Sequence, residues 1–499
     1  MNKVWILTYL CQFLSIVAGT PSELLVDTSS GPVSGIYNDT AQTVRAFLGI
    51  PYAEAPIGEL RFSPPLWKQY SNKTLDASRF SPVCPGIFEY TQDKESIWVV
   101  LPYSPWSHHH TSEECLTINI WTASQNTLSK RKNFMKETPA SPVLLFIPGG
   151  GFYEGGSGLD WYDGSKIVEN NDDIIVVTFN YRQTVFGYPN APEIPDGLQN
   201  VGLLDQRLAV EWVYKNIKKF GGDPDRILLW GESAGSISVD MYSYAYYENP
   251  LVKGFAMNSG EAGLVFSGDY SHSNWNSLSR SLGCTGVSTL TCMRKVPFEK
   301  IINGLYANRT ILYGFLPIPD NKTFYSNQTD RALKGKIAKL PVLIGNNERE
   351  MAADYDLNAT SVDVATIIRQ SKLAFGCRAL KAASQRLSAG VPTWRYLYHG
   401  NFTNLSPTPW LGAYHASELP MIFGTWFKSP LHATGLEKEI LLSKYMQGAW
   451  VEFAKSPNQG LLEYGWPKWS RKEPTLVNLA VNNSAIPVFT GTEDVDDLC

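Results

Sequence analysis

The sequence predicts an α/β fold with a large, mostly parallel central sheet and helices on both faces. Three observations carry the prediction. Short apolar runs without polar alternation recur along the chain, and a long stretch of helix formers stands between two of them. A third feature is a serine, Ser233, bracketed by Gly231 and Gly235 where one apolar run ends and small residues begin. Continuous Val, Ile and Leu indicate strands covered on both faces, as in a parallel sheet. Strand, helix, strand in alternation indicates α/β.

Taken in order, the chain opens on MNKVWILTYLCQFLSIVAGTPS, where Lys3 precedes an apolar stretch that ends in the small residues Ala18 and Gly19. That pattern is a secretory signal peptide over residues 1–20, cut near Gly19 or Thr20, which leaves residues 21–499 as a single domain. Its apolar run is short for a membrane span, and no later segment approaches about 20 apolar residues. Strands are expected at PVLLFIP (142–148), IIVVTFNY (174–181), RILLWG (226–231), GFAMNSG (254–260) and LPVLIGN (340–346). Between the second and third, NVGLLDQRLAVEWVYKNIKKF sets Leu204, Leu208, Trp212 and Ile217 at helical spacing. The basic triplet at 130–132 reads as part of a solvated loop.

Bulk properties exclude several classes. Of 499 residues, 43% are hydrophobic and 18% charged, a globular composition. Formal charge is 43 − 47 = −4, too small and too mixed for a nucleic-acid partner. Seven cysteines become six when Cys11 leaves with the signal: Cys84, Cys115, Cys284, Cys292, Cys377 and Cys499. An even count in an oxidising compartment implies three disulfides, though spacing does not fix the pairing. Sequons begin at Asn38, Asn72, Asn308, Asn321, Asn327, Asn358, Asn401, Asn404 and Asn482, and in an exported protein these are surface glycosylation acceptors. His108, His109 and His110 lack the carboxylate or cysteine company of a metal site, so they read as an exposed loop. Neither a metal nor a cofactor is expected.

Gly-x-Ser-x-Gly between a strand and a helix is the nucleophile elbow, a tight turn that pushes the hydroxyl into an open site. A serine hydroxyl is a poor nucleophile near neutral pH and needs an imidazole to take its proton, with a buried carboxylate behind the ring. Behind such an elbow the order is serine, acid, histidine. His108, His109 and His110 precede Ser233 and fail that order. His272, His399, His415 and His432 remain, and His399, at the end of the strand-like TWRYLYH, reads as structural.

Several stretches resemble the type-B carboxylesterases, a group that includes cholinesterases and some secreted fungal lipases. They are FLGIPYAEAPIGELRFSPP (47–65), SEECLTINIW (112–121), PGGGFYEGGS (148–157), NVGLLDQRLAVEWV (200–213) and FGGDPDRILLWGESAG (220–235). The resemblance runs from about residue 24 to the end, and it implies an α/β-hydrolase fold and hydrolysis of a small-molecule carboxylic ester through Ser233. It implies His415 as base, from WLGAYHASELPMIFG, and Glu350 as acid, five residues beyond Gly345. Relatives usually follow the acid with glycine, where this chain has Met351; Glu348 is the rival and Asp354 a more distant one. Gly150, Gly151 and Ala234 are the implied oxyanion donors. The implied disulfides are Cys84–Cys115, Cys284–Cys292 and Cys377–Cys499. Glu232 is implied on a pocket wall, and Ser259 near the His–Glu pair. Trp106 stands close to the choline-binding tryptophan of cholinesterases, but in a loop with Trp98, Tyr90 and Tyr103 it reads as packing. Lipase or cholinesterase-like specificity, or an inactive adhesion-type member, are the other readings.

Overall fold

The computed structural model describes residues 22–39, 41–88, 97, 110–134, 139–264, 268–431 and 437–499. The expected signal peptide, Trp106, His108, His109 and His432 lie outside them.

Eleven strands form one sheet. Its parallel part uses the expected runs: β7 (Ser141–Ile147), β8 (Ile175–Phe179), β9 (Gly222–Glu232), β10 (Gly254–Asn258) and β11 (Val342–Asn347), continued by β12 (Thr393–Tyr398) and β13 (Leu476–Leu479). Across the sheet they follow the order β13, β12, β11, β10, β9, β7, β8. Antiparallel strands close both margins: β14 (Val488–Thr490) beside β13, and β6 (Thr117–Ala123), β4 (Val44–Pro51) and β3 (Ile36–Tyr37) beyond β8. A small second sheet joins β1 (Leu25–Thr28), β2 (Gly31–Ser34) and β5 (Leu75–Asp76). β6 is buried along its whole length, so its residues carry no alternation that would mark it as antiparallel.

Successive side chains of a strand point to opposite faces, and here each face has its own core. Leu144, Phe146, Leu228, Trp230 and Trp394 pack with Met446 and Trp450 of the helix Glu437–Lys455. Val143, Leu145, Ile227, Leu229 and Met257 pack with Trp212 of the helix Val201–Asn216 and Val239 of the helix Ala234–Ala245. Helices therefore cover both faces, and burial of these side chains contributes about 1.5–3 kcal/mol each.

The basic triplet Lys130–Lys132 departs from expectation and lies in the helix Gln125–Phe134, a stretch without glycine or proline to interrupt the turn. Disulfides join Cys84 to Cys115, Cys284 to Cys292 and Cys377 to Cys499. Among the expected glycan acceptors, Asn72, Asn321, Asn327, Asn358 and Asn482 are exposed, and Asn38, Asn308 and Asn401 are half-buried. Asn404 is a correction: it is 2% exposed and its amide donates to Glu439 Oε1 at 2.9 Å, so in the folded chain it has no surface to offer a glycan. Among the described residues no helix is long and apolar enough to cross a membrane.

Candidate active site

Parallel α/β sheets gather ligands at the carboxyl ends of their strands, and the expected residues converge there. Ser233 stands between the last residue of β9, Glu232, and the helix Ala234–Ala245. Its backbone sits at φ 54°, ψ −123°, a conformation that costs of order 1–3 kcal/mol in a non-glycine residue. The flanking glycines allow it. A Cβ on Gly235 would lie 1.9 Å from the carbonyl oxygen of Ile147, and one on Gly231 would lie 2.4 Å from the backbone of Gly235. That is why glycines stand two positions either side of the serine: the helix leaves so sharply that its first turn touches both neighbouring backbones.

Directly beyond β7, Gly150 and Gly151 take φ of 115° and 60°, turning the chain back over the elbow. Gly149 sits so near that a Cβ there would be 2.9 Å from the Ser233 Cβ. Among the described residues the N–H groups of Gly150, Gly151 and Ala234 donate to no backbone carbonyl. Backbone N–H groups left without a carbonyl partner are the kind of donor that stabilises a developing oxyanion.

His415 arrives on the loop after residue 411 and Glu350 on the loop leaving β11. His415 Nδ1 lies 2.6 Å from Glu350 Oε2, while Glu350 Oε1 accepts the Asn347 N–H at 2.6 Å. His415 Nε2 lies 3.2 Å from Glu232 Oε1. Glu232, expected on a pocket wall, instead touches His415. Burial disfavours the imidazolium, but the Glu232 and Glu350 carboxylates outweigh burial and raise His415 to about 10. Burial pushes Glu232 up to about 8, against the pull of His415.

Glu348 is turned away from this group. Its Oε1 lies 3.0 Å from His399 Nδ1, and the other ring nitrogen of His399 is 2.9 Å from Asn478 Oδ1. Between the two glutamates, Arg349 reaches the base's own loop: its N–H donates to Ala413 O at 2.9 Å, and its Nη1 to Trp410 O at 3.0 Å. Asp354 is exposed to solvent. The Ser259 hydroxyl hydrogen-bonds none of the described residues; its N–H donates to Gly345 O at 2.8 Å.

One buried acid escaped the sequence reading. Glu418 accepts from Asn347 Nδ2 at 2.6 Å and from Asn258 Nδ2 at 3.1 Å, tying the ends of β10 and β11 to the loop of His415. Burial, and then Glu350, raise it to about 7. A lone carboxylate heading the apolar run Leu419–Phe423 was the available signal.

The Carboxylesterase family model matches residues 22–374 and 358–496, most of the chain. The chain belongs to the carboxylesterase family. It is a carboxylic ester hydrolase, and its substrates are small-molecule esters. This carboxylesterase is 38% identical over 496 residues to a chlorogenic acid esterase of Aspergillus niger, covering 95% of this chain and 94% of that protein. It is 37% identical over 515 residues to secreted lipase 5 of Gibberella zeae, with the same two coverages. An acetylcholinesterase of Bungarus fasciatus is 27% identical over 540 residues, covering 95% of this chain and 86% of its own.

Proposed function

We propose that this carboxylesterase is a secreted serine esterase working through an acyl-enzyme on Ser233. The observation that carries the reading is the 2.6 Å contact of His415 with Glu350 at the same strand ends as the strained Ser233 turn. His415 takes the Ser233 proton as the hydroxyl attacks the ester carbonyl, and passes it to the leaving alcohol. Glu350 fixes the tautomer that presents Nε2 and stabilises the imidazolium. The N–H groups of Gly150, Gly151 and Ala234 hold the oxyanion. Water, deprotonated by the same imidazole, then attacks the acyl-enzyme and frees the acid.

Carboxylates on both sides of His415 favour the imidazolium formed with the transition state, where stabilisation accelerates the reaction. Secretion is supported by the leader-like opening, the three disulfides and the relative named a secreted lipase. The test is a panel of 4-nitrophenyl esters of increasing acyl length on protein recovered from culture medium, with and without a fluorophosphonate. Hydrolysis abolished by an adduct that peptide mapping places on Ser233 is the expected result. An adduct on another residue, or undiminished activity after labelling, ends the proposal.

A further inference from the structure

Away from the reacting groups, the ends of three neighbouring strands meet around a second imidazole. His399 follows β12, and its N–H donates to Leu479 O of β13 at 2.9 Å. On the other side Glu348 follows β11, and its N–H donates to Tyr398 O at 3.0 Å. The His399 ring lies between two oxygens: Nδ1 is 3.0 Å from Glu348 Oε1, and Nε2 is 2.9 Å from Asn478 Oδ1. A neutral imidazole carries one N–H and one acceptor nitrogen, so it satisfies only one of them.

Neither oxygen has a donor to offer in its place. An ionised carboxylate only accepts. The Asn478 amide is held in one orientation, because its Nδ2 donates to Thr490 Oγ1 at 2.8 Å, to Val488 O at 3.2 Å and to Leu476 O at 3.4 Å. Turning it over would set its oxygen against two backbone carbonyls. The surroundings therefore fit an imidazolium, which donates from both nitrogens. Among the described residues the charged groups acting on the ring are Glu348 and Arg349. Burial and Arg349 oppose the charge, but Glu348 and Asn478 outweigh them and lift His399 above 6.5.

We propose that His399 is a positioning residue for the reaction at Ser233: as an imidazolium it anchors the loop segment that aims Glu350 at His415, and kcat falls when it loses its proton. The path between the two histidines is short. Glu348 Oε2 meets Arg349 Nε at 3.3 Å, and Arg349 Nη1 donates to Trp410 O at 3.0 Å on the loop of His415. Glu350 O accepts the His415 N–H at 3.3 Å, while its side chain holds Nδ1 of the same ring. Deprotonating His399 sets two acceptors face to face across one of its contacts. That arrangement is costly, so the ring or Glu348 turns away and the segment carrying Glu350 follows. The imidazolium is complete below 6.5 and is lost as pH rises through the folded value, so the effect lies on the alkaline side, opposite the limb that His415 sets. The proposal rests on the Ser233 ester-hydrolysis reading.

The experiment follows kcat for 4-nitrophenyl acetate across pH beside nitrogen NMR spectra of the histidine rings, with the His399 signals assigned by their loss in His399→Gln. The ring is expected to titrate above 6.5. Its midpoint should coincide with a fall in kcat of about two- to fivefold, the scale set by a partly exposed ion pair. His399→Gln does not titrate there, so it should abolish that fall and hold kcat near the alkaline level of the unaltered protein. A merely structural His399 would instead lower kcat by one factor throughout and leave the fall in place. His399→Lys keeps a cation beside Glu348 and should hold more of the rate than His399→Gln. A His399 midpoint below 6.5, or an alkaline fall that survives His399→Gln, overturns the positioning role. Fluorophosphonate labelling that misses Ser233 in active protein overturns instead the ester-hydrolysis reading beneath it.

Discussion

Glu348 pairs with His399 at 3.0 Å, and only two residues later Glu350 meets His415 at 2.6 Å. Two carboxylates on one loop thus serve two different histidines. Removing the charge at Glu350 while keeping its shape leaves the imidazole without its orienting partner, a change that costs about 10⁴-fold in a well-studied Asp triad. Glu350→Gln is expected to lose several orders of magnitude in kcat while staying folded, and Glu348→Gln to lose less than about tenfold. Steady-state kinetics with the reverse ranking would exchange the two roles.

The Glu232 contact predicts a pH effect. His415 acts as a base only when neutral, and the carboxylates beside it raise its pKa against the effect of burial, so they help to set the acidic limb of the rate profile. Glu232 is the largest of the influences raising it. Glu232→Gln should therefore move the acidic limb of kcat/KM to lower pH, by about 1 to 3 pH units for loss of a near charge. An unmoved limb, or one displaced to higher pH, contradicts the contact's role.

Stability should follow the outer pair. His399 is raised above 6.5 because the pull of Glu348 and Asn478 outweighs burial, so this stabilisation is complete below 6.5 and fades as pH rises through the folded value. Glu348 is held below 4.5, because His399 and Arg349 outweigh burial, so its share fades as pH falls through that lowered value. His399→Gln should cost up to about 1 kcal/mol between these limits, with a smaller deficit on either side. Thermal unfolding across pH checks it, and a deficit that is flat with pH argues against an ionic pair.

Arg349 is expected to position the base. Its guanidinium holds the backbone of the His415 loop at Pro409 and Trp410. Arg349→Met should lower kcat by about tenfold or more with little change in KM, the pattern of an interaction that matters in the transition state. Arg349→Lys should restore part of the rate. Equal losses in kcat and Tm across both variants would leave Arg349 a purely structural residue.

Gly235→Ala should fail to fold normally. An added Cβ would meet Ile147 O at 1.9 Å and the elbow would have to open, a strain in the range of about 4–5 kcal/mol or more. Normal expression with an unchanged Tm would contradict the close approach.

The sequence by itself determined the class of the fold and the kind of reaction, hydrolysis of carboxylic esters. Strands such as Ile175–Phe179 are buried on both faces, so an unbroken apolar run announces them without knowledge of their partners. Gly231 and Gly235 bracket Ser233 within five consecutive residues, and a local turn leaves a local signature. Tertiary structure alone decided which groups meet across distant loops. Two residues of offset separate Glu348 from Glu350, and only the path of the chain after Asn347 turns one towards His399 and the other towards His415. Packing of four separate segments likewise put Glu232 against His415 and Glu418 between Asn258 and Asn347. Asn404 carries the same sequon as the exposed acceptors, yet it is buried against Glu439, thirty-five residues further on. Burial depends on what arrives from elsewhere in the chain, and a short motif does not encode its neighbours.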